Sequence, residues 1–511
     1  MRQEKRKGRI VLLHLLSWSL IVTSFPLRTG GMAGVGGVAG VAGVAGVAGS
    51  AQAERPALSE LVERQYLEVF ELARTARYSS AEIDAWRKQL DQQESAEKKR
   101  LEGVQKRYEE RVKAARRELE ALNRRASRDG QSEVEERKRL HCRILRLEGR
   151  VKEAEIARQQ GVPIAFDNRR AKLMLLEKWP GEIARIEQSI AAGTARSRRY
   201  GDVEDIGVRS IAEGQEKDLE AGQEAIREMK AYGLMPPEWE GEPLNRYLRD
   251  LGDQLAVHSD LKIPLRVTVL ESDEVNAFAL PGGYLFINTG LIAKAKTESE
   301  VVGVMAHELA HVTARHSAKL MKRATIANLI YQAAQVTAMI LTGGLVGIGA
   351  YYALQYGFFG LGLVLSLTLL GVSREFEDEA DQLGVQYAWK AGYDPRGFIT
   401  LFDQLAMEQG YVSTVSFFRT HPPFGERILS TFRELGYLPE KNGLQVDSLR
   451  FREVKRGMME ILEQHRQEPV TRPTLKRFPN CPDEPDDEED EIQIRRPGST
   501  DSSKNERGED R

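Results

Sequence analysis

Near the middle of the chain, His307-Glu308-Leu309-Ala310-His311 sets two imidazoles four positions apart with a carboxylate between them. On an α-helix such positions differ by about 40° in azimuth, so both rings share one face and can reach one tetrahedral cation. Zn²⁺ takes imidazole nitrogen readily, and a glutamate beside it can act on a water molecule. The alternative is an ordinary helix with two surface histidines, which would have polar neighbours. Instead Val301, Val302, Val304, Met305, Leu309, Ala310 and Val312 make most of the circumference apolar. A buried imidazole must be satisfied, and a metal does this well. One Zn²⁺ per subunit is therefore expected at His307 and His311, with Glu308 as the reacting carboxylate.

A catalytic zinc needs a third protein ligand and an open fourth position. The extended pattern HExxHxxGxxH would supply a third histidine, but Ala314 and Ser317 stand at its glycine and histidine positions. His316 does not replace it, because nine residues after His307 a continuous helix points it to the opposite side. A downstream carboxylate is needed, and Ser373 to Gly384 is rich in them. Glu377 and Asp381 lie four apart on one helical face, with Glu375 and Glu379 on the other side. Glu377 as ligand, with Asp381 accepting a hydrogen bond from a ligand imidazole, is the economical arrangement. A run of acids on a solvated helix remains the plain alternative.

These residues must be held by the elements around them. Glu298 to about Lys322 has helical periodicity and carries the histidines. Upstream, Ser210–Leu234 and Pro243–His258 read as amphipathic helices. Leu265–Leu270 and Tyr284–Asn288 read as strands, with the turn-rich stretch Asn276–Gly283 between them. From residue 54 to 207 the chain is dense in Glu, Lys, Arg and Ala. Leu101, Val104, Tyr108, Val112, Ala115, Leu119 and Leu122 form one narrow apolar seam, and Leu140, Ile144, Leu147, Val151 and Ala154 form another. An antiparallel, coiled-coil-like hairpin turning near Arg128–Gln131 follows, usually a solvated spacer or a surface for a partner or for self-association.

The chain has 511 residues, enough for two or three modules plus tails. Its 74 Lys and Arg balance 76 Asp and Glu, so no basic excess points to nucleic acid. Residues 1–53 read as a signal peptide with a Gly/Ala/Val tract, since Arg2, Lys5, Arg6, Lys7 and Arg9 precede a short apolar run and Ala51-Gln52-Ala53 suits cleavage. That places the remainder in the periplasm or cell envelope. Between Ala324 and Ser373 there is no charged residue. His311 and Glu377 must meet at one ion, so this segment crosses a bilayer twice or not at all. Helices that cover the site or dip into one leaflet are expected, which makes membrane contact part of the reading. Residues 468–511 are acidic and Pro-rich and read as disordered. Cys142 and Cys481 read more simply as two unpaired thiols than as a disulfide.

His307-Glu-Leu-Ala-His311 with Arg315-His316, Ser373-Arg374…Glu377…Ala380-Asp381, Asn276-Ala-Phe-Ala-Leu-Pro-Gly-Gly283 and His421-Pro-Pro-Phe-Gly-Glu-Arg427 stand in this chain together. In that combination the segment 208–467 resembles the HtpX/BepA-type zinc metallopeptidases, which include the CAAX prenyl proteases. The resemblance implies a mainly α, zincin-like α+β domain with a small antiparallel sheet, and the uncharged segment 324–373 reads as an insertion within it. It implies His307, His311 and Glu377 as zinc ligands and Glu308 as catalytic carboxylate. His421 is implied as an oxyanion group or as occupant of the open zinc position, with Arg427 beside it. An edge strand at Tyr284–Asn288 is implied to receive peptide substrates by strand addition. A zinc metalloendopeptidase acting on envelope or misfolded proteins is expected. The alternative is an envelope scaffold or chaperone with a structural metal site.

Overall fold

A computed structural model describes residues 55–125, 131–231, 235–321, 374–407, 418, 421, 425–467 and 492–494. Residues 1–53, read above as a leader, and the uncharged segment 324–373 lie outside the described residues.

The amino-terminal part is helical throughout: α1 (Leu58–Leu61), α2 (Tyr66–Thr75), α3 (Ser80–Arg125), α4 (Gln131–Ile156) and α5 (Val162–Ala191). The two seams meet as expected, for Leu101, Val104, Tyr108, Val112 and Ala115 of α3 are buried, as are Leu140, Ile144, Leu147 and Ala154 of α4. Ion pairs flank the seam, Arg143 with Glu118 and Arg116 with Glu148. Helix α4 runs into α5 through one π-turn, Ala157–Gly161. The loosened turn accommodates Pro163 at the start of α5, where a missing N–H breaks no regular i→i−4 bond.

Helices α6 (Leu219–Ala231) and α7 (Glu242–Val257) lead to β1 (Arg266–Leu270), β2 (Ala277–Leu280) and β3 (Tyr284–Asn288). Helix α6 starts later than expected because Gly214 is left-handed, with φ 82°, and a 3₁₀ turn follows it. The stretch read only as a turn contains β2, too short to show a period. Its real turn is Pro281-Gly282-Gly283, and both glycines have positive φ. The strand order is β1-β3-β2, with β1 parallel and β2 antiparallel to β3. The sheet is therefore mixed, not antiparallel, and Tyr284–Asn288 is its central strand, not an edge. Sequence periodicity cannot reveal this, because strand order depends on non-local pairing.

After β3 come α8 (Thr289–Lys294), α9 (Glu298–Thr313) and α10 (His316–Met321), then α11 (Arg374–Lys390), α12 (Gly397–Met407), α13 (Gly425–Tyr437) and α14 (Leu449–Gln467). All of α9 is buried. One hydrophobic core runs from Leu61 in α1 through Trp179 in α5 to Leu309 in α9 and Phe432 in α13. The amino-terminal helices thus share a core with those that carry the histidines, beyond the role of a solvated spacer. A smaller cluster, including Met229, Leu270 and Phe286, covers the other face of the sheet under α6.

Two features concern the described residues of the tail and the cysteines. Ile492 and Ile494 are buried, and Arg100 donates a hydrogen bond to the Gln493 carbonyl at 2.5 Å. Two isoleucines in an acidic stretch thus dock on the helical hairpin. Cys142 is disulfide-bonded, which overturns the reading of two free thiols; Cys481 itself lies outside the described residues. No described helix is long and apolar enough to cross a membrane.

Candidate metal centre

Helix α9 supplies His307, Glu308 and His311. A capping box starts it, in which Thr297 and Glu300 exchange hydrogen bonds with each other's backbone. Helix α11 supplies Glu377 and Asp381 and crosses α9 closely because Gly384 has no side chain. A Cβ there would lie 3.0 Å from the His307 backbone.

Four side chains converge. His307 Nε2 lies 3.0 Å from His311 Nε2 and 3.2 Å from His421 Nδ1. Glu377 Oε2 lies 3.5 Å from His307 Nε2 and 3.1 Å from His421 Nδ1, and its Oε1 lies 3.4 Å from His311 Nε2. Two ligand atoms on one tetrahedral ion with bonds of about 2.0–2.1 Å are themselves about 3.3 Å apart. The donor set, its spacing and its burial therefore fit a divalent cation, and no other described group of His, Cys, Asp or Glu does so.

Asp381 Oδ1 lies 2.9 Å from His307 Nδ1, close enough for an ionic contact although not aligned as a hydrogen bond. Arg427, on α13, grips Asp381 with Nε at 2.5 Å and Nη2 at 2.8 Å, while its Nη1 lies 3.0 Å from Glu377. Burial pushes both carboxyls up, but Arg427 outweighs it and holds Asp381 below, and Glu377 well below, the usual carboxylate range. Burial drives His311 well below an ordinary imidazole, towards the neutral form a ligand requires. Burial also opposes charge on His421, yet Glu377 and Glu308 overcome it and raise its pKa to about 10. His421 Nε2 lies 3.1 Å from Glu308 Oε1, and both atoms are buried.

All seven residues singled out in the sequence thus meet here: His307, Glu308, His311, Glu377, Asp381, His421 and Arg427. Three neighbours escaped that reading. Phe398 of α12 stacks on His307 at 4.8 Å, and its sequence carries no signal of this. His316 was expected on the far side of the helix, but its Nδ1 lies 2.9 Å from His311 Nδ1. Helix α9 ends at Thr313, so azimuth counting fails beyond that point. Glu379, read as an outward acid, reaches His316.

A buried HExxH helix, a glutamate from a second helix and a small sheet beside them define a zincin-type metallopeptidase domain. Residues 242–432 match peptidase family M48. The chain is 34% identical over 210 residues to a putative beta-barrel assembly-enhancing protease of Vibrio cholerae, covering 40% of this chain and 42% of that one. It is 30% identical over 184 residues to the beta-barrel assembly-enhancing protease of Escherichia coli, covering 35% and 36%. It is 33% identical over 172 residues to the mitochondrial metalloendopeptidase OMA1 of Schizosaccharomyces pombe, covering 33% and 46%. The matches thus span less than half of each relative.

Proposed function

We propose that this protein is a zinc-dependent metalloendopeptidase that hydrolyses envelope or misfolded proteins. The carrying observation is the buried convergence of His307, His311 and Glu377, with Glu308 facing the same point. A cation held there supplies Lewis acidity to a scissile carbonyl and makes a nearby water easier to deprotonate. Glu308 is the base that takes the water's proton and returns a proton to the leaving amine. Asp381 orients His307, and Arg427 keeps Asp381 and Glu377 ionised. His421, lodged between Glu377 and Glu308, fits a resting occupant that substrate must displace. An envelope scaffold with a structural metal would have no use for Glu308 at that place.

Substrate pairs as an added strand, but along β2 and not along Tyr284–Asn288. The outer edge of β1 is engaged, since Trp239 N donates to Val269 O and Glu271 N donates to Pro237 O. On β2, among the described residues, the Ala279 carbonyl accepts a side-chain bond, from Ser317 Oγ at 3.2 Å, which an incoming peptide N–H can replace. The disulfide at Cys142 and the names of the bacterial relatives favour the periplasm or envelope, with residues 1–53 as signal peptide and 324–373 as the membrane-contacting segment. The hairpin of α3 and α4 offers a surface for a partner or for self-association.

The test is zinc content together with casein hydrolysis. Glu308→Gln is expected to keep its zinc and to lose about 10²–10⁴-fold in kcat. A variant with unimpaired hydrolysis removes Glu308 from the mechanism, and a metal-free, inactive wild type removes the proposal.

A further inference from the structure

Behind His311, on the side away from the donor cluster, lies a histidine that this mechanism does not use. His316 is 1% exposed and its ring lies flat on Phe376, with centroids 4.3 Å apart. Its Nδ1 is 2.9 Å from His311 Nδ1, and its Nε2 is 3.3 Å from Glu379 Oε2 on α11. We propose that His316 and Glu379 form a positioning relay that fixes the tautomer and ring orientation of His311 for cation binding. The relay rests on the metal reading above and deepens it.

The proton count permits one arrangement. An imidazole that gives its Nε2 lone pair to a cation carries its proton on Nδ1. In His311 that proton faces His316 Nδ1, which must then be the acceptor. His316 therefore carries its own proton on Nε2, towards the Glu379 carboxylate. Every contact pairs a donor with an acceptor, and His311 Nε2 stays free for the ion. The two ligand histidines are thus supported differently. His307 faces the Asp381 carboxylate directly, whereas His311 reaches a carboxylate through a second imidazole.

The backbone is bent to make this contact. On an unbroken helix His316 would stand about 140° from His311. Instead Arg315 has φ 58°, and among the described residues no other non-glycine residue has positive φ. A left-handed arginine is strained and persists only where its surroundings enforce it. Asp218 enforces it, accepting from Arg315 Nε at 2.6 Å and from Nη2 at 2.5 Å, and the Glu213 carbonyl accepts from Nη1. The turn folds His316 back onto His311.

Two substitutions separate a relay from mere packing. His316→Phe keeps an aromatic ring on Phe376 and deletes the acceptor. His316→Asn deletes the ring but puts an amide oxygen where Nδ1 stands. Zinc affinity of the full-length protein is read by competition with a chromogenic chelator, and stability of the metal-free protein by urea unfolding. The relay predicts that His316→Phe weakens zinc binding about 10–100-fold, and that His316→Asn lies nearer to wild type although it is the less stable variant. Glu379→Leu, tested at the relay's far end, is expected to weaken zinc binding by a smaller factor, whatever the folding of the His316 variants. Affinity that follows packing, with Phe like wild type and Asn weakest, overturns the relay, as does unchanged affinity in His316→Phe or Glu379→Leu. Wild-type protein that binds no zinc overturns the metal reading and the relay together, whereas zinc-binding wild type with indifferent variants overturns the relay alone.

Discussion

Arg427 shows how the centre tolerates its own charge. It is 4% exposed and touches the carboxylates of both Asp381 and Glu377, so one guanidinium is shared between two buried anions that also face the histidines. Removing one partner from a buried ionic group is costly because the other charge stays buried and uncompensated. Arg427→Met is therefore expected to destabilise the metal-free protein by about 3–5 kcal/mol in urea unfolding. Arg427→Lys, which keeps the charge but not the two-pronged grip, should fall between it and wild type. A loss below about 1 kcal/mol for the methionine variant, the range of exposed ion pairs, would mean that this guanidinium is not holding the carboxylates. The histidine pair and the carboxylate pair were readable beforehand because i,i+4 spacing places His307 with His311 and Glu377 with Asp381, whereas His421 and Arg427 were marked only by the family resemblance. His316 was not readable, since its position depends on the left-handed Arg315, and nothing in the local pattern announces a helix end there.

At the scale of elements, the site is a crossing of α9 over α11, and Gly384 sets their separation. Its missing Cβ would sit 3.0 Å from both Cα and N of His307, tighter than packed atoms accept without movement. Gly384→Ala is thus expected to push α11 outwards by a few tenths of an ångström while the chain still folds, since overpacking of this kind costs about 1–3 kcal/mol. Glu377 lies two turns away on the same helix, so zinc affinity should fall by about tenfold or more, as expected when ligand geometry is loosened. Chelator competition checks this, and unchanged affinity would mean that the crossing is compliant. Helices α3, α4, α7 and α9 and strand β1 were legible because each repeats its apolar residues at a clear period, and β3 because it is a short apolar run after a Gly-Gly turn. Strand β2 has four residues beside Pro281-Gly282-Gly283 and reads as part of the turn. The docked Ile492 and Ile494 are two apolar residues beside a run of acids, so their burial depends on a surface distant in sequence.

At the scale of the molecule, the amino-terminal helices are fastened to the metal centre's scaffold by a buried polar cluster. Lys172 of α5 is fully buried, with Nζ 3.2 Å from Asp403 on α12 and 3.0 Å from the Val62 carbonyl. Asp403 also accepts from Asn168 Nδ2 at 3.0 Å and from Tyr66 N at 2.6 Å, so α2, α5 and α12 meet at one carboxylate. Helix α12 also carries Phe398, which stacks on His307, so the cluster and the metal site share one rigid element. Burial draws the Lys172 ammonium below its usual range against the pull of Asp403, so the pair is held at some expense in desolvation. This asymmetry gives a specific expectation. Lys172→Met alone strands the Asp403 carboxylate and should cost about 3–5 kcal/mol. The double variant Lys172→Met, Asp403→Asn removes both charges and keeps an amide for Asn168 and Tyr66 N, so it should be more stable than Lys172→Met alone. Urea unfolding of the four proteins in the cycle measures the coupling. If the amino-terminal helices were an independent module resting loosely on the peptidase domain, Lys172→Met would loosen them without lowering the main transition or the zinc affinity. If they are one folding unit, as the shared core argues, both fall together.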